Sequence, residues 1–388
     1  MAVSGILFPG VGEYNIRVEQ IVLYFLMPVL ILMSNEEIKL KVKEIISTLL
    51  LVIVLLIITT KESLSISVMT IKNLEMWLGI IVAFTIITIT KKFIKTEYQY
   101  KYNVRILLIL GLIASAILIL TQYHTSIKEL YLNSEGLESK AFLRSDGNER
   151  YTGIFSQPYE AGLFFSLNIM LLIYARDVKI VSKGEFIFSL IIFMYALLMS
   201  GSKIILILPL VIALAGFDAK QNIKLLALIG ILFSAFVTFS DKVGIARSFL
   251  NADWIERVGY VAAITGNRFG AENSTIMSSL KLEYIYFGEG LAIDFAMDNF
   301  FITIMKFGGI ASIVLFLAWI TLQIEPKLTQ AQKRLNRSVL LIFLLSGIGA
   351  FHIGMNRVGL LMIVLLILSG IDTRKLRNEN KKVCRLSS

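Results

Sequence analysis

The sequence predicts an all-α integral membrane protein of about 11 (10–12) transmembrane helices with two large extracytoplasmic loops. Composition is the first reason. Of 388 residues 56% are hydrophobic and only 17% charged, and the mean hydropathy is +0.76. A soluble domain carries about 25% charged residues, so the bilayer is the solvent that fits this chain. The second reason is that apolar runs of spanning length, roughly 17–25 residues with interfacial positions counted, recur from one end to the other. The third is that they are interrupted twice, at 121–160 and 240–298, by long stretches of Arg, Asp, Glu, Asn and Gly.

In chain order the spans are expected near 17–34, 44–60, 74–90, 104–120, 161–175, 185–200, 203–216, 224–239, 299–321, 338–351 and 358–370. The first is read as a span and not a cleavable signal, because more spans follow and no small-residue cleavage site stands after it. Pro28 and Pro209 fall inside expected spans. They read as kinks, tolerated where neighbouring helices re-satisfy the freed backbone. Residues 1–388 form a single polytopic domain with no soluble domain and no convincing internal repeat. That absence counts against the common transporter folds, which are built from related halves.

Lys and Arg in the short connections set the orientation. The connections 35–43, 91–105, 176–184, 217–224 and 322–337, with the tail 371–388, carry most of them, from Lys39 and Lys41 through Lys91, Lys92 and Arg334 to Arg385. The opposite short connections hold little beyond Lys61, Lys72, Lys203 and Arg357. The basic set is therefore assigned to the cytoplasm and the two long loops to the outside. The net charge of +10 is largely this topological signal, which gives no warrant for nucleic-acid binding. The basic tail also suits an anionic headgroup surface. The single cysteine, Cys384, leaves no disulfide within the chain. His124 and His352 lie far apart and have no metal-ligand spacing, so no metal site is expected.

Five stretches could carry chemistry. In Arg150–Gly162, Gly153 and Pro158 bend the chain where it re-enters the membrane, with Arg150, Gln157 and Glu160 at headgroup level. It reads as part of a site or as a turn with an interfacial anchor. Ser200–Lys203 is a tight outer turn whose lysine either snorkels or meets an anion. Arg257 has Arg247 and Arg268 near it in sequence, and a guanidinium holds phosphate oxygens in a two-pronged grip that Lys cannot copy. Solvated surface arginines are the plain alternative. Arg257 also lies near the start of a stretch, Trp254–Ile264, patterned as a short amphipathic helix at the interface. Tyr286–Gly290 followed by Asp294–Phe300 places two glycines and two carboxylates at the mouth of the ninth span. Asp298 either takes a proton from a sugar hydroxyl or, with Asn299, caps a helix. Lys306 lies roughly 10 Å below that helix start, facing a cavity or snorkelling.

The order of these pieces resembles the O-antigen ligase and polymerase superfamily of bacterial polysaccharide assembly. The resemblance rests on Gly153-Ile-Phe-Ser-Gln-Pro158 before a span and on the turn Ser200-Gly-Ser-Lys203. It continues with Arg257 ahead of an apolar stretch, then Phe287-Gly-Glu-Gly290, then Asp298-Asn299 opening a span that holds Gly308 and Gly309. It covers roughly Arg150 to Thr321. Lys203 stands where the family usually has Arg, and Asp298 where its ligases carry a His.

The resemblance implies an O-antigen or capsule repeat-unit polymerase in the bacterial cytoplasmic (inner) membrane, its active site facing outward. Such an enzyme transfers a growing glycan from an undecaprenyl-pyrophosphate donor to a lipid-linked repeat unit, by an inverting transfer that needs no metal or cofactor. It implies a flippase and a chain-length regulator as partners. Arg257, helped by Lys203 and Arg150, would neutralise the leaving pyrophosphate. Asp298 would orient or deprotonate the acceptor hydroxyl, with Arg247, Arg268, Asn299 and Gln157 as further substrate-binding candidates. The alternatives are an O-antigen ligase, a polytopic exporter or flippase of lipid-linked oligosaccharide, and a non-catalytic scaffold.

Overall fold

The computed structural model describes residues 27–32, 40–59, 68–123, 153–155, 158–202, 207–215, 285–286, 288–291, 300–324, 328–347 and 356–373, with a few isolated positions besides. The described residues form helices and turns, without strands. The helices are α1 (Met27–Leu32), α2 (Val42–Thr59), α3 (Val68–Thr90), α4 (Glu97–Tyr123), α5 (Pro158–Asp177), α6 (Lys183–Met199), α7 (Ile207–Leu214), α8 (Phe300–Leu322), α9 (Gln330–Gly347) and α10 (Asn356–Ser369), with a 3₁₀ turn at Lys91–Phe93 after α3. Five of them, α2, α3, α4, α5 and α8, are long and apolar enough to cross a membrane. The described part is thus all-helical with helices fit to span a membrane, and the expected first and eighth spans lie largely outside it.

α5 sits at the centre. Every residue from Glu160 to Ala175 is buried, and α4, α6, α9 and α10 pack around it. A helix apolar on all sides and buried all round is an interior helix of a bundle. α2 lies at the edge, pairing with α8 and α3. It buries Leu51, Val54 and Ile58 on one stripe and exposes Ile45, Leu49, Ile53 and Leu56 on the other, the face lipid would cover. Between α4 and α5 the approach is close because Gly111 has no side chain, and a β-carbon there would lie 2.4 Å from Asn168 Oδ1. Small residues at such crossings let membrane helices meet where no hydrophobic effect draws them together.

The basic connections share one end of the bundle. Glu44, at the start of α2, is buried and paired with Lys91 at 2.7 Å and Lys92 at 2.9 Å. Lys43 Nζ donates to the Ile324 carbonyl after α8, and Asn336 of α9 donates to the Gln323 carbonyl and to Ser369 of α10. Arg334 meets Asp177 at the end of α5, Tyr100 and Tyr174 share a 2.6 Å hydroxyl contact, and Arg105 pairs with Glu185 at 2.6 Å. This continuous set of contacts joins the starts of α2, α4, α6 and α9 to the ends of α3, α5, α8 and α10.

Helices at this end begin earlier than the apolar runs indicate. The sequence places spans at 104–120 and 338–351, whereas α4 starts at Glu97 and α9 at Gln330. Reciprocal caps explain the extra turns. Thr96 and Gln99, Ser182 and Glu185, and Thr329 and Gln332 each exchange hydrogen bonds between side chain and backbone amide. The Ser/Thr-x-x-Glu/Gln pattern satisfies two otherwise orphaned donors and carries a helix into water. Pro28 and Pro209 are the second and third residues of α1 and α7.

Candidate functional site at the end opposite the basic connections

Three turns hold the opposite end. The first is Gly153–Phe155. Gly153 has φ +58°, and a β-carbon on it would lie 2.9 Å from Leu118 Cα of α4. Only glycine takes both that conformation and that approach. Ile154 and Phe155 are buried, and Phe155 sits among Phe164 and Phe165 with ring centroids 4.9 and 5.8 Å away. Pro158 is the first residue of α5, where its fixed φ suits a helix start. Tyr159 Oη donates to the Ser346 carbonyl at the end of α9. Glu160, in the first turn of α5, is 1% exposed and so enclosed by the bundle.

The second turn closes the end of α6. Ser200 Oγ donates to the Leu197 carbonyl, Ser202 N–H donates to Ser200 Oγ, and Gly201 has φ +64°. All three residues are buried, which fits the tight turn read from Ser200-Gly-Ser.

The third is the junction of a short strap, Gly288–Leu291, with α8. α8 is broken at Gly308 (φ −138°, ψ 18°) and Gly309 (φ 67°, ψ −168°). The second of these angle pairs is open to glycine alone. The break leaves carbonyls of the N-terminal half-helix without their usual partners, and the strap supplies replacements. Glu289 N–H donates to the Lys306 carbonyl, and Gly290 N–H donates to the Phe307 carbonyl at 3.1 Å. Gly288 and Gly290 both have positive φ. On the far side of the strap Asn73 Nδ2 donates to the Leu291 carbonyl at 2.8 Å, and one turn deeper Trp77 packs edge-on against Phe307. Phe307 lies about 10 Å along the axis from the start of α8. The strap therefore runs into the bundle to that depth, with Gly288, Gly290 and Leu291 buried. Irregular backbone is tolerated at membrane depth only where protein buries it.

The residues expected to carry the chemistry, Arg257, Asp298, Lys203, Arg150, Arg247, Arg268, Asn299 and Gln157, lie outside the described residues, as do Trp254–Ile264, His124, His352 and Cys384. Lys306 is described and half-buried in the N-terminal half of α8. The flanks of those candidates lie at one end of the bundle. The end of α4 and the start of α5 bound the loop 121–160, and the strap closes the loop 240–298, all at the end away from the basic connections. Sequence reasoning missed Asn73, an Asn within a few residues of the start of an otherwise apolar run. A polar amide there signals a partner, since burying it unbonded is costly. Among the described residues no group of three or more His, Cys, Asp or Glu could hold a metal ion.

No protein family, curated protein or solved structure matches this chain.

Proposed function

We propose that the protein is a polymerase of a surface polysaccharide, O-antigen or capsule, transferring a growing glycan from an undecaprenyl-pyrophosphate donor to a lipid-linked repeat unit at the outer face of the cytoplasmic membrane. The observation that carries the reading is the glycine-built strap seated on the break in α8. It gives the Gly288-Glu-Gly290 and Gly308-Gly309 motifs a joint physical role, fixing the end of the second large loop into the same end of the bundle as the Gly153 turn. Pinned loop ends suit an enzyme that must hold two lipid-linked substrates in register, where orientation supplies much of the rate. In this reading Arg257, Lys203 and Arg150 neutralise the leaving pyrophosphate, and Asp298 handles the acceptor hydroxyl.

A second reading draws on the same break. Interrupted helices with buried irregular backbone are the device by which secondary transporters build mid-membrane sites, which favours an exporter of lipid-linked oligosaccharide. Deleting the gene separates the two. A polymerase deletion leaves single repeat units on the outer acceptor, or in the outward lipid-linked pool for a capsule. An exporter deletion traps undecaprenyl-linked single repeats on the cytoplasmic face, and a ligase deletion leaves bare acceptor with polymer accumulating behind it.

A further inference from the structure

The strap Gly288–Leu291 offers few side chains by which to hold it. Gly288 and Gly290 have none, so the seating depends on the backbone: two N–H donors to α8 and the Leu291 carbonyl accepting from Asn73. Asn73 is 8% exposed and stands 218 residues from its partner in the chain. Trp77, four residues on and so on the same helix face, packs against Phe307. α3 thus touches both halves of the junction, the strap through Asn73 and the broken helix through Trp77. The motif-bearing stretch from Arg150 to Thr321 does not include Asn73, so this third bond comes from outside it. The strap and the start of α8 are also the two fixed ends of the segment 292–299, so whatever holds the strap fixes where that segment begins.

We propose that Asn73 is a positioning residue: it pins the strap against α8 and through it sets the geometry of the outer-face transfer. The activity half of this proposal rests on the polymerase reading, while the pinning half stands on the hydrogen bonds alone. Asn73 acts through the Leu291 carbonyl. An amide is suited to the task because it donates to a carbonyl without bringing a charge to membrane depth.

The test uses the full-length protein in membranes, with Cys384→Ser removing the natural cysteine. Leu291→Cys and, separately, Ile154→Cys provide buried reporters for a membrane-impermeant maleimide. Asn73→Leu keeps much of the volume and loses the donor, and Asn73→Ala removes the amide altogether. Both are expected to speed labelling at position 291 about tenfold or more, as loss of a bond to a buried carbonyl opens the strap locally. Labelling at position 154 should stay within about twofold, since a general loss of packing would raise both. With native Leu291, at equal abundance, the same substitutions should lower the maximal polymerisation rate about tenfold and leave the substrate concentration for half-maximal rate nearly unchanged. Parent-like labelling at 291 in both variants overturns the proposal, as does an equal rise at 154, or full polymer synthesis with the strap released. If deletion of the gene leaves polysaccharide unaltered, the polymerase reading fails, and the labelling alone decides whether Asn73 pins the strap.

Discussion

Gly288 is pressed against the broken helix so closely that a β-carbon on it would lie 2.4 Å from the Phe307 carbonyl oxygen and 2.5 Å from Gly308 N. Both neighbours are backbone and cannot swing aside. Its φ of +74° adds a second obstacle to any side chain. Gly288→Ala is therefore expected to unseat the strap, costing about 1–3 kcal/mol for the backbone conformation alone and more for the overlap. The thermal midpoint of the purified protein in detergent should fall by several degrees. Gly184→Ala is the matched control: that glycine is in the first turn of α6 with open space around it. Alanine there should hold the midpoint or raise it, because it favours the helix by roughly 0.5–1 kcal/mol.

Gly111 makes the same kind of contact in the middle of the bundle, with a different remedy available. A β-carbon at 111 would meet Asn168 Oδ1 at 2.4 Å, Asn168 Cγ at 2.7 Å and Phe193 Cε1 at 3.1 Å. Gly111→Ala should destabilise by about 1–3 kcal/mol, the usual cost of overpacking a filled core. Here the obstacle is a side chain, so Asn168→Ala removes most of it. The double variant is expected to be more stable than Gly111→Ala alone, and a double-mutant cycle of thermal midpoints measures the coupling. Independent, additive losses would mean that the two helices do not meet at this pair.

What the sequence made legible was what the bilayer demands. A chain that must satisfy its backbone inside hydrocarbon has to write long apolar runs, and helices α2 to α6 and α8 lie where those runs are. The glycine pair at 308–309 was visible as well, and so was the turn at Gly153. The partners of these glycines were not. The bonds from Glu289 and Gly290 to α8 are made by backbone groups, which leave no trace in side-chain identity. Asn73 and Asn168 are polar residues in apolar helices, a pattern that announces burial but not the neighbour. The early starts of α4, α6 and α9 were written in the sequence as capping pairs, and hydropathy alone overlooks them because Thr96–Gln99 and Thr329–Gln332 are polar.

Which side of the membrane each end of the bundle faces is a testable expectation. Lys92 and Arg334 belong to the end built from the basic connections, and the excess of Lys and Arg in short loops marks the cytoplasm. Single cysteines at 92, 334 and 375 should react with an impermeant reagent only after the membrane is opened, and those at 138 and 274 in intact cells. Labelling of position 274 only from the cytoplasmic side would remove both the orientation and an outward-facing site.

Arg257 carries the sharpest chemical expectation, one that rests on sequence because the position lies outside the described residues. It follows Asp253-Trp-Ile-Glu256 at the start of the amphipathic stretch and stands where the resembling family has its loop arginine. A guanidinium grips pyrophosphate with two parallel N–H donors, and an ammonium at the same point keeps the charge but not the fork. Arg257→Lys should therefore lose about 1.5–3 kcal/mol, the worth of a hydrogen bond to a charged group, and slow transfer roughly tenfold to a hundredfold. Arg257→Ala loses the charge as well and should be slower still. The measurement is polysaccharide chain length in a deletion strain complemented with each variant at matched membrane abundance. Wild-type chain lengths from Arg257→Ala would exclude this arginine from the transfer and turn the question to Lys203 and Arg150, the remaining cations of the motif-bearing turns.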